Sequence, residues 1–113
     1  MASTYKRLGA IASTGAVGTP DTLYTASATA STSTVTSTIA ICNTSESNAT
    51  FRLCVSTSAV FQDAGYLVNG TTVSANDTVF LTLGITLDPT NRFLLASASS
   101  TSVVFSVFGV ENS

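Results

Sequence analysis

Thr34-Val35-Thr36-Ser37-Thr38-Ile39-Ala40-Ile41 is the stretch whose reading decides the fold class. Val35, Ile39 and Ile41 fall on one parity, and Thr34, Thr36 and Thr38 fall on the other. A period of two gives a strand one apolar face. Thr is β-branched, stiff at χ1 and well suited to a pleated surface, so threonines between aliphatic residues favour strand over helix. The same rhythm returns downstream. Phe51, Leu53 and Val55 alternate with Thr50, Arg52 and Cys54, and Val79, Leu81 and Leu83 alternate with Thr78, Phe80 and Thr82.

Turn chemistry falls between these runs. Asn43–Asn48 (NTSESN) is a polar loop suited to joining two antiparallel strands. Asn69-Gly70, between Tyr66-Leu67-Val68 and Thr71-Thr72-Val73, is a tight-hairpin signal because both residues tolerate positive φ. Asn76-Asp77 and Asp88-Pro89-Thr90-Asn91 mark further turns. About seven or eight short antiparallel strands at roughly ten-residue spacing follow, the pattern of a single β-sandwich or jelly-roll-like domain. The all-β expectation places residues 21–113 in the sandwich and residues 1–20 in an N-terminal arm or linker. Ala26–Ser33 contains only Ala, Ser and Thr and reads as a loop or a loosely held strand edge.

Composition agrees with one small folded domain. The 113 residues suit a single unit. Hydrophobic residues make up 44% and charged residues only 9%, the reverse of a disordered chain. Ser and Thr supply roughly a third of the positions. The net charge is −2, and the cations Lys6, Arg7, Arg52 and Arg92 are too few and too scattered for a phosphate-binding face. Nucleic acid is therefore not an expected partner. No apolar run nears the ~20 residues of a membrane helix, and Met1–Gly9 lacks the apolar core of a signal peptide. The expectation is maturation in a cytoplasm, with no membrane partner and with thiols kept reduced.

Catalytic chemistry has little to stand on. The chain has no His, which removes the commonest general base and every Ser-His or Cys-His pair. Asp21, Glu46, Asp63, Asp77, Asp88 and Glu111 are isolated and mostly lie in expected turns, where Asp caps its own backbone. No phosphate-binding glycine loop and no calcium-spaced loop occurs. No enzyme activity, cofactor or metal is expected. A hairpin pairing Ile41 with Phe51 sets Cys42 opposite Thr50, about 13 Å along the partner strand from Cys54. That is beyond disulfide reach, so two free thiols are expected. Asn43, Asn48, Asn69 and Asn76 each open an N-x-S/T triplet. Such matches arise by chance in so Ser/Thr-rich a chain and, without a signal peptide, carry no glycosylation meaning.

Two segments suggest contacts between proteins. Val103-Val104-Phe105-Ser106-Val107-Phe108-Gly109-Val110 is apolar on both parities. Such a strand is either central and covered on both sides or has one face covered by another subunit. Phe105, Phe108 and Val110 are the candidate self-association residues. In the arm, Tyr5, Leu8 and Ile11 offer apolar area while Lys6 and Arg7 offer charge, a combination suited to adding an edge strand to a neighbour.

The chain resembles a family of small virion structural proteins of tailed bacteriophages, cyanophages among them. The matching pieces are Tyr5-Lys6-Arg7-Leu8-Gly9, Thr22-Leu23-Tyr24-Thr25, Ile41-Cys42-Asn43, Ala49-Thr50-Phe51-Arg52, Ala75-Asn76-Asp77-Thr78-Val79, Leu81–Leu87, and Phe105-Ser106-Val107-Phe108-Gly109 with Glu111. They are short and built of common residues, so their order carries the specificity. Cys54 and the Ala26–Ser33 stretch are not features of that family. The resemblance implies a non-enzymatic virion subunit, assembled in the host bacterial cytoplasm, that binds copies of itself, with a trimer favoured, and the major capsid protein or another virion subunit. A head decoration (cement) protein is the first expectation and a neck, collar or tail accessory subunit the second. A carbohydrate-binding module is a third, disfavoured by the absence of Trp.

Overall fold

The computed structural model describes residues 3–15, 18–27, 32–82 and 84–112. The fold is all-β, and the described residues form nine antiparallel strands in two packed sheets: β1 (Ser3–Ala12), β2 (Asp21–Thr25), β3 (Ser33–Asn43), β4 (Ala49–Ser56), β5 (Tyr66–Val73), β6 (Thr78–Leu81), β7 (Thr86–Leu87), β8 (Phe93–Ala98) and β9 (Val103–Asn112). A short 3-10 turn covers Asp63–Gly65. The first sheet runs β1-β9-β3-β6, with β7 also on β3, and the second runs β2-β8-β4-β5. The sandwich expectation holds.

The core lies between the sheets. Phe51 from the second sheet and Phe105 from the first meet edge-on with centroids 6.3 Å apart. Ile39, Ile41, Val103 and Val107 pack around them from one side, and Leu53, Leu94, Ala96 and Ala98 from the other. Full burial of each large side chain contributes about 1.5–3 kcal/mol.

In β3 the simple alternation breaks. Its register against β9 passes from Thr36↔Gly109 to Thr38↔Phe108, leaving Ser37 as an extra residue. A β-bulge of this kind reverses which parity faces inward. Thr34 and Thr36 are buried while Val35 is exposed, and beyond the bulge Ile39 and Ile41 are buried. Val35 therefore does not share a face with Ile39 and Ile41. The approach is close because Gly109 has no side chain: a Cβ there would lie 2.3 Å from the Val35 carbonyl oxygen.

The arm reading of residues 1–20 is corrected. Ser3–Ala12 is an integral strand, paired with β9 from Ser3↔Asn112 to Ala12↔Val104. A bulge at Leu8 disguises its alternation, so that both Leu8 and Ile11 pack against the core. Gly9 serves tight packing rather than mobility, since a Cβ there would lie 2.3 Å from the Leu23 carbonyl oxygen. At the end of β1, buried Ser13 donates from Oγ to the Ala98 carbonyl (3.3 Å) and accepts from the Ala98 amide (3.2 Å), clipping the first sheet to the second.

Two turn readings change as well. Tyr66–Val73 is one continuous strand, not a hairpin. Gly70, at φ +85°, drops out of register between Thr71↔Phe51 and Asn69↔Arg52. The positive φ that suits a tight turn serves a bulge equally well. β3 and β4 are not a hairpin either: residues 44–48 carry the chain from one sheet to the other. Cys42 and Cys54 consequently belong to different sheets, and both are free thiols. Between Thr25 and Ser33, Ala26 is buried and residues 28–31 lie outside the described residues.

A second, smaller packed layer covers the outward side of β4. Cys54 and Leu95 have no solvent exposure there. The Cys54 thiol donates to the Gln62 carbonyl (3.5 Å), and Phe61 stacks on Tyr66 with centroids 5.3 Å apart.

Candidate protein interface

The two sheets differ on their outward sides. On the first sheet, register aligns side chains in rows across the strands. One row runs Tyr5, Val110, Val35, Thr86, and the next Arg7, Phe108, Thr38. Then come Ala10, Ser106, Ala40, Phe80, and finally Ala12, Val104, Cys42, Thr78. Arg7 is the only charge in these rows. Phe80 is 68% exposed and Tyr5 65%, the two rings standing on opposite edge strands of the sheet. Phe108 and Val110 are half-buried between them.

Tyr5 is fixed rather than free. Its hydroxyl pairs with Ser37 Oγ at 2.9 Å. Because β9 lies between β1 and β3, the Tyr5 side chain must cross β9 to reach it. Ser37 Oγ also donates to the Phe108 carbonyl at 3.3 Å. The bulge residue thus holds the aromatic ring in place on the face.

The structure divides the sequence-derived candidates. Tyr5, Arg7, Phe108 and Val110 share the outward face of the first sheet. Leu8 and Ile11 turn into the sandwich. Phe105 is corrected: it points inward, is fully buried and is core. The doubly apolar strand is central within its sheet, yet only its Val103-Phe105-Val107 parity is buried in the core, while Val104, Phe108 and Val110 stay partly exposed. Phe80 is an exposed ring that was not among the sequence-derived candidates, although its place among the threonine parity of its strand was the signal of an outward side chain.

Lys6 belongs to a polar cluster at the end of the sandwich. Its Nζ lies 2.7 Å from Glu111 Oε1. The Tyr24 hydroxyl donates to the other Glu111 oxygen and lies 3.1 Å from Thr34 Oγ1. The Lys6 hydrogen bond, followed by that from Tyr24, holds the Glu111 carboxyl below its ordinary pKa. Burial first, then the Glu111 contact, raises the Tyr24 phenol. The cluster borders a half-open cleft of about 230 Å³ lined by Ser27, Thr32, Ser33 and Asn112 as well as by Tyr24, Thr34 and Glu111. Among the described residues no three of Cys, Asp and Glu converge.

On the second sheet Arg52 stands apart. Its guanidinium lies 5.9 Å from the Tyr66 ring centroid, and its Nε is sealed from solvent with no hydrogen-bond partner. Compared with known proteins, the chain matches no protein-family model and no curated sequence.

Proposed function

We propose that the chain is a non-enzymatic structural subunit of a tailed-phage virion, a decoration protein on the outside of the head that associates with copies of itself, as a trimer, and with the major capsid protein. The observation that carries this reading is the outward face of the first sheet. Tyr5, Val35, Phe80, Phe108 and Val110 place aromatic and aliphatic surface on one side of a two-sheet sandwich, with Arg7 as the only charge among the described residues of its cross-strand rows. Contact surfaces rich in Tyr and Phe with a single Arg match the composition of protein interfaces. The low charge also lets identical copies approach with little repulsion.

The sequence resemblance supports the same reading and points to the virion. The polar cluster supports a structural rather than a chemical role, because Glu111 is fully engaged by Lys6 and Tyr24 across strands β1, β9 and β2. The test is a particle map with this chain fitted as a rigid sandwich. The expected result is density on the head exterior with the β1-β9-β3-β6 face against a neighbouring subunit. Density at the neck or tail would favour the accessory-subunit reading instead, and absence from the particle would overturn both.

A further inference from the structure

Asn69-Gly70 has no role in a turn, and its chemistry is left open. We propose that Asn69 is a self-modification site, where the Gly70 amide converts the side-chain amide to a carboxylate that Arg52 then takes up. Three observations converge on it. Asn69 and Gly70 are both exposed on the edge strand β5. Gly70 has φ +85°, has no partner in the ladder register, and has nothing within 4 Å of where a Cβ would stand. Arg52 is the residue directly opposite Asn69.

The step follows from the chain's own atoms and water. The Gly70 backbone nitrogen, giving its proton to solvent base, forms a bond to Cγ of Asn69. The bond from Cγ to the side-chain nitrogen breaks, and that nitrogen leaves as ammonia. Water then opens the five-membered imide at one carbonyl or the other, giving aspartate or isoaspartate. No oxidant or reductant is involved. A following residue with no side chain and wide backbone freedom makes the attack easiest. Gly70 is the only glycine that follows an Asn in the sequence.

The other asparagines are placed differently. Asn43 is fully buried, with Nδ2 donated to Ser47 and Val73 carbonyls. Asn48 accepts the Ala75 amide on Oδ1. Asn76, Asn91 and Asn112 precede Asp77, Arg92 and Ser113.

Arg52 gives the product a destination. Directly opposed residues of an antiparallel pair lie within side-chain reach. The Arg52 Nε has no acceptor, and the described contact holding the guanidinium is the Tyr66 ring. A carboxylate at position 69 can take the guanidinium edge in a charge-assisted pair. The aspartate product thus ties β5 more firmly to β4, while the isoaspartate product lengthens the β5 backbone by one methylene.

Purified full-length protein, aged at neutral and mildly alkaline pH and mapped by peptide mass spectrometry, tests the chemistry. Aspartate and isoaspartate should accumulate at position 69 ahead of every other Asn, faster at the higher pH, and should be lost in Asn69→Gln. Thermal melts test the destination. Asn69→Asp should melt above the wild type when Arg52 is present and lose that gain in an Arg52→Met background. Modification no faster at Asn69 than at Asn48 or Asn91 would overturn the proposal, as would an Asn69→Asp variant that melts below the wild type.

Discussion

Asn43 gives up all contact with solvent and recovers its hydrogen bonds from three backbone groups and the Ser45 hydroxyl. Its Nδ2 donates to the Ser47 (2.7 Å) and Val73 (3.2 Å) carbonyls, and its Oδ1 accepts from the Ser45 amide (3.1 Å) and hydroxyl (2.8 Å). One side chain therefore shapes the crossing from β3 to β4 and fastens it to β5. Asn43→Ala would delete all four hydrogen bonds and leave the buried Val73 carbonyl short of a donor, at about 1–3 kcal/mol for that group alone. A loss of roughly 2–4 kcal/mol in denaturant melts is expected, and a change inside experimental scatter would show that the crossing holds without it. Ionisation supplies a second test at this scale. The Glu111 pKa is lowered in the folded state, so its contribution is present above its unfolded value of about 4.5 and is lost as pH falls through the folded value. The Tyr24 pKa is raised, so its contribution holds below about 10 and is lost as pH climbs through the folded value. Stability measured against pH should therefore fall on both limbs, and Glu111→Gln should flatten the acid limb. An unchanged acid limb would mean that Lys6 and Tyr24 do not favour the ionised form.

At the scale of elements, β1 shows what the residues disclosed and what they hid. The alternations of Phe51, Leu53 and Val55 and of Val79 and Leu81 were legible because those strands run without interruption through the core contacts. Ser3–Ala12 was not legible, because the bulge at Leu8 sets Leu8 and Ile11 three residues apart and glycine stands where β2 comes close. The bulge at Ser37 hid the outward turn of Val35 in the same way. Gly70 carried the signal of a turn and built a bulge. Bulges add one residue, and period-two reading has no way to place the addition. The consequence is testable. Removing residues 1–12 would bare the β9 edge and take away the partly buried Leu8 and Ile11 that pack against the core, at less than the about 1.5–3 kcal/mol that full burial of each side chain contributes. A bare apolar edge also invites pairing with other chains. A collapsed melting temperature with aggregation is expected, and an unchanged melt would return the segment to the role of a dispensable arm.

On the scale of the molecule, the sandwich measures 45 × 26 × 18 Å and closes its two outward sides unequally. The second sheet covers Cys54 and Leu95 with its own chain and exposes Leu67 only on its edge strand, with Val60 in the loop after β4, whereas the first leaves Phe80, Tyr5 and Val35 in solvent. The fold class was readable from composition and rhythm, while the outward apolar face of the first sheet was only half readable. Phe105 and Phe108 look alike in sequence, and their roles separate only through the parity of β9. Their substitutions should separate as well: Phe105→Asp puts a charge into the core and unfolds the chain, while Phe108→Asp leaves the core intact. The most direct measurement is sedimentation of wild type and Phe108→Asp across a wide concentration range, with circular dichroism of both. The account predicts an oligomer for the wild type, a trimer on the favoured reading, and a folded monomer for Phe108→Asp. A wild-type monomer at the highest concentration, or a Phe108→Asp chain that stays as associated as the wild type, would contradict it.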